Sequence, residues 1–121
     1  MQSTEEHLRK IGEENDAGAH KYLHSFLKYI RENDKIFRTL LIDSADPDFR
    51  SRFMQQSLIQ FVDNLRIELP KEFEQYIFSY ILNGNTGIII QWMRSDYSVD
   101  ETEIVKLLFS INQSTLINLK L

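Results

Sequence analysis

Cysteine is absent from the 121 residues, and glycine and proline are scarce, at 4 and 2. Without thiols the chain has no disulfide framework, no thiolate metal site and no cysteine nucleophile, which is compatible with a reducing compartment. So few turn formers exclude collagen-like and low-complexity classes and count against an all-β fold of tight turns. No internal repeat, Gly-rich phosphate loop, Ser-His-Asp order or paired-carboxylate pattern occurs, so no enzyme, cofactor or metal is expected. The N-terminal stretch MQSTEEHLRKIGEEN is polar and of mixed charge, unlike a signal peptide. A net charge of -4 and a pI near 5.3 argue against a large phosphate-binding surface.

What is present is helical patterning. The apolar fraction is 42% and the charged fraction 26%, a balance that suits one globular domain able to bury roughly two-thirds of its unfolded surface. Ala19, Tyr22, Leu23, Phe26, Leu27 and Ile30 recur at three- and four-residue steps and predict a helix over 19–32. Asn33-Asp34 breaks it, and Ile36, Phe37, Leu40 and Leu41 predict a short second helix ending near Asp43. Asp46-Pro47 marks a third start, because Asp46 can cap free amides and Pro47 lacks only an N–H that the first turn does not use. Phe49, Phe53, Leu58, Phe61, Val62 and Leu65 carry this helix for about five turns. Pro70 opens a long fourth segment in which Phe73, Ile77, Tyr80, Ile81, Gly84, Ile88 and Trp92 share a face. The fifth helix is expected from Ser98, with Glu101 completing a capping box, and buries Ile104, Leu107, Leu108 and Ile111.

The fourth segment has two rival readings. From Gln75 to Met93 no residue is charged, long enough to raise a membrane span, but Gln75, Ser79, Asn83, Asn85, Thr86 and Gln91 interrupt it, and no span is expected. Asn83-Gly84-Asn85 between β-branched runs resembles a hairpin turn. Helix is preferred because a lone hairpin would have no sheet to join and the apolar spacing runs through both glycines without a phase slip.

Four stretches taken in order carry a wider resemblance. They are residues 30–41 (IRENDKIFRTLL), the DPDF start at 46–49, residues 80–93 (YILNGNTGIIIQWM) and residues 97–105 (YSVDETEIV). Over about residues 19–113 this order resembles the C-terminal regulatory domain of TetR-type bacterial transcriptional regulators. The resemblance implies a cytoplasmic, all-α domain that dimerises through its last two helices and often encloses a small-molecule pocket. Members of the family begin with a helix-turn-helix of about fifty residues. Residues 1–18 form a polar stub too short for one, so the expectation is a five-helix bundle over 19–121 without the DNA-binding head. DNA would then be met only through an N-terminal domain not contained in these residues. A free-standing helical protein–protein interaction module is the alternative.

Candidate residues follow from the faces. Phe78, Leu82, Ile89 and Met93 lie opposite the Tyr80–Trp92 stripe, and a helix apolar on both sides is buried on both. With Leu107 and Ile111 they are expected to form a homodimer interface exceeding the roughly 1,000 Å² of a genuine contact. Fourteen aromatics suggest a pocket for a small apolar or amphipathic effector, lined by Phe26, Tyr29, Phe53, Phe61, Tyr80, Asn83 and Trp92. Gly84 and Gly87 each cost about 1 kcal/mol inside a helix relative to Ala, which points to close packing or a pocket wall. His20 and His24 have metal-ligand spacing, with Asp16 one turn earlier, but no further ligand is fixed, and polar flanking positions explain them better. Asp43, Asp46 and Asp48 are read as helix termination and capping rather than a cation loop, and Arg50 and Arg52 as a solvated helix face.

Overall fold

A computed structural model describes residues 18–43, 46–64 and 69–119, with the side chains of 60–64 and 117 left aside. Among these residues there are five α-helices and no strand. They are α1 (18–32), α2 (Asp34–Arg38), α3 (Pro47–Asn64), α4 (Glu74–Arg94) and α5 (Glu101–Ile117). The all-α expectation is met, and the stretch with the Asn-Gly-Asn signal is one continuous helix.

Several boundaries differ from the sequence reading. The short second helix ends at Arg38 and passes into a π-helical turn, Thr39–Asp43, which carries Leu41 fully into the core. Pro70 precedes a turn, its carbonyl accepting from Phe73 N at 3.0 Å, and α4 begins only at Glu74. The Ser98–Glu101 capping box does not form. Asp100 takes the N-cap position, and Glu101 starts α5 with its carboxylate buried against Arg31 of α1, 2.6 Å from Nη2 and 3.0 Å from Nη1. Asp46 does cap α3, accepting from the amides of Asp48 at 3.0 Å and Phe49 at 3.2 Å.

The core is built around α1. Leu23, Leu27 and Ile30 keep one face of it fully buried, against Met54 and Leu58 of α3, Ile89 and Met93 of α4, and Leu108 of α5. Removing these side chains from water is the main stabilising term. Tyr22 ties α1 to α3 by donating to the Ser57 carbonyl at 2.5 Å.

The far end of α4 is held by a polar hub. Arg38 donates from Nε to both oxygens of Asp34 at 2.8 Å, and from Nη2 to the Met93 carbonyl at 2.9 Å and Asp96 at 2.8 Å. Its guanidinium also lies 5.8 Å from the centre of the Tyr97 ring. Asp96 and Tyr97 adopt left-handed backbone conformations, φ 55° and 57°, that residues with a Cβ rarely accept. The Arg38 contacts, the Tyr97 hydroxyl donating to Asp34, and the edge-on packing of Tyr97 on Trp92 at 4.8 Å hold them there.

This hub sets a pH response. The Tyr97 hydroxyl bond, reinforced by Arg38, holds the Asp34 carboxyl below its ordinary 3.8, so its contribution is present above that pH and lost as the pH falls. Burial, then the bond to Asp34, pushes the Tyr97 hydroxyl above its ordinary 10.0, so its contribution is lost as the pH climbs past that value. The melting temperature should therefore decline below about pH 4 and above about pH 10. Tyr97→Phe should lower it throughout and shrink the alkaline decline; thermal melts followed by circular dichroism from acid to alkaline pH check both, and an equal alkaline decline in parent and variant would count against the hub.

Candidate functional site

The strongest unclosed surface lies along α4 and α5. One crest of α4 presents Tyr76 (77% exposed) and Tyr80 (64%), followed by the exposed Gly84 and Gly87 and the half-buried Ile88. Beside it α5 exposes Leu107 and Ile111, 43% and 41%. Between the two helices runs a groove of about 500 Å³ lined by Tyr80, Gly84, Ile88, Ile111 and Thr115. No charge occurs on α4 from Gln75 to Met93 or on α5 from Leu107 onward within the helix. Depletion of charge around aromatic and aliphatic groups is the composition of an interface core.

The floor of this groove is a pair of buried amides. Asn85 donates to Asn112 Oδ1 at 3.2 Å and Asn112 returns the bond to Asn85 Oδ1 at 2.8 Å. Each also donates to the carbonyl four residues back on its own helix, Ile81 and Leu108, both at 2.6 Å.

The structure divides the residues of α4 differently from the two sides read in the sequence. Ile89 and Met93 are fully buried within the single chain, Leu82 is nearly so, and Phe78 is half-buried beside α3. Leu82, Ile89 and Met93 are therefore spent on the chain's own fold, Phe78 lines an open groove beside α3, and Leu107 and Ile111 stand exposed. Of the stripe read as inward, Ile81 and Trp92 are buried and Ile77 and Ile88 half-buried, while Phe73, Tyr80 and Gly84 face out. A methyl built on Gly84 or Gly87 would meet no heavy atom within 4 Å, so neither glycine answers to packing inside the chain. An exposed tyrosine leading into two helical glycines was the signal available for the open side.

The proposed pocket residues do not converge. Phe53 lies 5.8 Å from Phe37, exposed Tyr29 meets Phe37 edge-on at 5.6 Å, and Phe26 stacks towards Tyr22 at 6.5 Å. These rings spend their faces on one another in the layer of α1, α2 and α3. Trp92 is buried with its indole N–H donating to the Val99 carbonyl at 2.6 Å. Tyr80 and Asn83 stand on the exposed side of α4, and the side chain of Phe61 lies outside the described residues. Open volume instead lies between α3 and α4, in two adjoining grooves of about 680 and 480 Å³ that share Ser51, Leu82 and Asn83.

The histidines face α5. His20 lies flat on Phe109 with ring centres 3.6 Å apart, and His24 Nε2 is 3.4 Å from Thr102 Oγ1. Among the described residues no group of three or more metal-ligating side chains occurs, and Asp16 lies outside them. Among the same residues no helix is long and apolar enough to cross a membrane.

Residues 18–114 match a protein family described as a transcriptional regulator C-terminal region, of the TetR type. No curated relative and no solved structure shows a significant likeness to the chain.

The open glycines give a direct test of the geometry. Gly84→Ala should stabilise the isolated chain by about 1 kcal/mol, because the helix gains propensity and the new methyl meets nothing. Thermal melts in dilute solution check this, and an unchanged or lower melting temperature would mean that the site is already crowded.

Proposed function

We propose, from the premise that the chain belongs to the C-terminal regulatory family of TetR-type transcriptional regulators, that it is a dimerising and effector-sensing module of such a regulator. The observation that carries the dimer is the uncharged, partly aromatic crest of α4 beside Leu107 and Ile111 on α5. Two such helices from each of two copies make a four-helix contact, and a two-fold contact uses the same surface on both partners. Tyr80 supplies a projecting ring and Gly84 and Gly87 supply a shallow step, so the face offers both halves of a self-complementary fit. The operator is assigned to a DNA-binding domain distinct from these five helices.

The effector reading rests on the α3–α4 grooves. Their lining sets Leu82 and Ile90 beside the amides of Gln55, Asn83 and Gln91. Charges of both signs join them, Lys71 and Glu74 in one groove and Asp48, Arg50 and Arg94 in the other, which suits a molecule with a polar or charged part as well as an apolar one. A ligand there would act by favouring one placement of α3 on α4, and it can shift that equilibrium only by its difference in affinity between the two placements.

Sedimentation of the chain at micromolar concentration should show a dimer, and Ile111→Arg should give a folded monomer with parental helix content. A monomeric parent would sink the dimer reading, and assembly only in the presence of another protein would favour the interaction-module alternative. For the grooves, the amphipathic dye 1-anilinonaphthalene-8-sulfonate should bind with a saturable rise in fluorescence. Ser51→Trp, which fills the junction of the two grooves, should weaken that binding at least about tenfold, equivalent to about 1.4 kcal/mol. Unaltered dye binding would place the dye elsewhere.

A further inference from the structure

The seam between α4 and α5 repeats itself. On α4 the inward residues are Ile81, Asn85 and Ile89, and on α5 they are Leu108, Asn112 and Leu116, each set spaced by four and each with asparagine in the middle. All six are buried, and the two asparagines are only 3% and 5% exposed. Sliding one helix by a turn along the other would exchange one branched aliphatic contact for another. Apolar packing on this seam therefore discriminates poorly between registers.

The amides discriminate strongly. In the observed register all four side-chain N–H groups have acceptors, two on the helices' own carbonyls and two on the facing amide. After a one-turn slip each amide would face an isoleucine or a leucine, with its cross-helix bonds unmade and contact with water only from the side of the groove. Leaving a buried donor and acceptor unpaired is costly, whereas making the pair adds little over an apolar contact of the same shape. A buried polar pair of this kind selects one arrangement more than it strengthens it.

We propose that Asn85 and Asn112 are positioning residues that, in the middle of the seam and beyond the ties at its connecting turn, fix the register of α4 on α5 and so compose the face presented to a second copy. The pair lies directly beneath the groove lined by Tyr80, Gly84, Ile88, Ile111 and Thr115. Register decides which α5 side chains stand beside Gly84. This last step rests on the dimer reading, while the register itself is a property of the single chain.

The chain has no cysteine, so Gln75→Cys on α4 and Lys106→Cys on α5, both at exposed positions, can carry two spin labels without competitors. Pulsed electron paramagnetic resonance, with labelled chain diluted into unlabelled chain, reads their separation within one molecule. The parent should give one narrow distance. Asn85→Leu with Asn112→Leu should keep its helix content and melting temperature, yet show a broadened distance or a second one displaced by about 5.4 Å, the pitch of one turn. Its dimer should be at least about tenfold weaker by sedimentation.

Asn85→Ala with Asn112→Ala is the second variant, free of any overpacking, and should show the same loss of a single distance. A folded double variant of either kind that keeps the parental narrow distance overturns the proposal. So does failure of both to fold, because the pair would then be a requirement of stability rather than a choice of register. A parent that sediments as a monomer fails the dimer reading alone, and the spin-label distances still decide the register.

Discussion

The constraint on which the rest of the structure depends is that α4 carries no charge from Gln75 to Met93. A helix of this kind cannot be solvated around its whole circumference at low cost. One side is closed by the chain itself, with Leu82, Ile89, Trp92 and Met93 buried against the core built on α1. A second is covered by α5 through the asparagine pair. What remains is the crest of Tyr76, Tyr80, Gly84 and Gly87, exposed yet uncharged. The arrangement of the described helices follows from covering two sides of one helix and leaving the third exposed.

Holding α4 in this position requires that its C-terminal end be fixed, and here the fold accepts local strain. Two consecutive non-glycine residues in the left-handed region cost on the order of 1–2 kcal/mol each. The turn they make is short, so that α5 returns directly alongside α4. Arg38 offsets the cost by joining α2, the last turn of α4 and the turn itself in one set of hydrogen bonds. Arg31 and buried Glu101 do the same between α1 and the start of α5. The result is a rigid α4–α5 platform anchored at one end by ions and in the middle by amides.

Much of this was legible in the sequence because it depends on local period. The helix over 18–32, the Asp46 cap with Pro47, and the continuity of α4 through its glycines all follow from spacing and start signals. The start of α5 was misplaced because Ser98 and Glu101 have the spacing of a capping box. A left-handed Asp-Tyr pair, stabilised by an arginine nearly sixty positions away, is invisible to a local rule. The sides of α4 were only partly sorted for a related reason, Ile81 and Trp92 lying inward as read and Tyr80 outward against it. Period shows that both sides are apolar, but only tertiary packing shows which one the chain itself covers. The pocket set was chosen by residue type, and several of its rings pack on one another or on Phe37 instead of lining one void.

The glycines and the asparagines of α4 are best understood together. Gly84 and Gly87 weaken the helix by roughly 1 kcal/mol each, and a methyl at either would meet no heavy atom within 4 Å among the described residues. Asn85, next to Gly84 in sequence and about 100° around the helix, turns inward and meets Asn112 on α5. Adjacent residues thus have different surroundings, one the chain's own fifth helix and the other the exposed crest. A surface with little side chain of its own takes its relief from its neighbours, here Tyr80 and Ile88 on α4 and Ile111 and Thr115 on α5. Those neighbours keep a constant arrangement only if the two helices cannot slide. The polarity buried beneath the face and the lack of side chains upon it are therefore two parts of one requirement, that a flat apolar site present the same shape in every copy of the molecule.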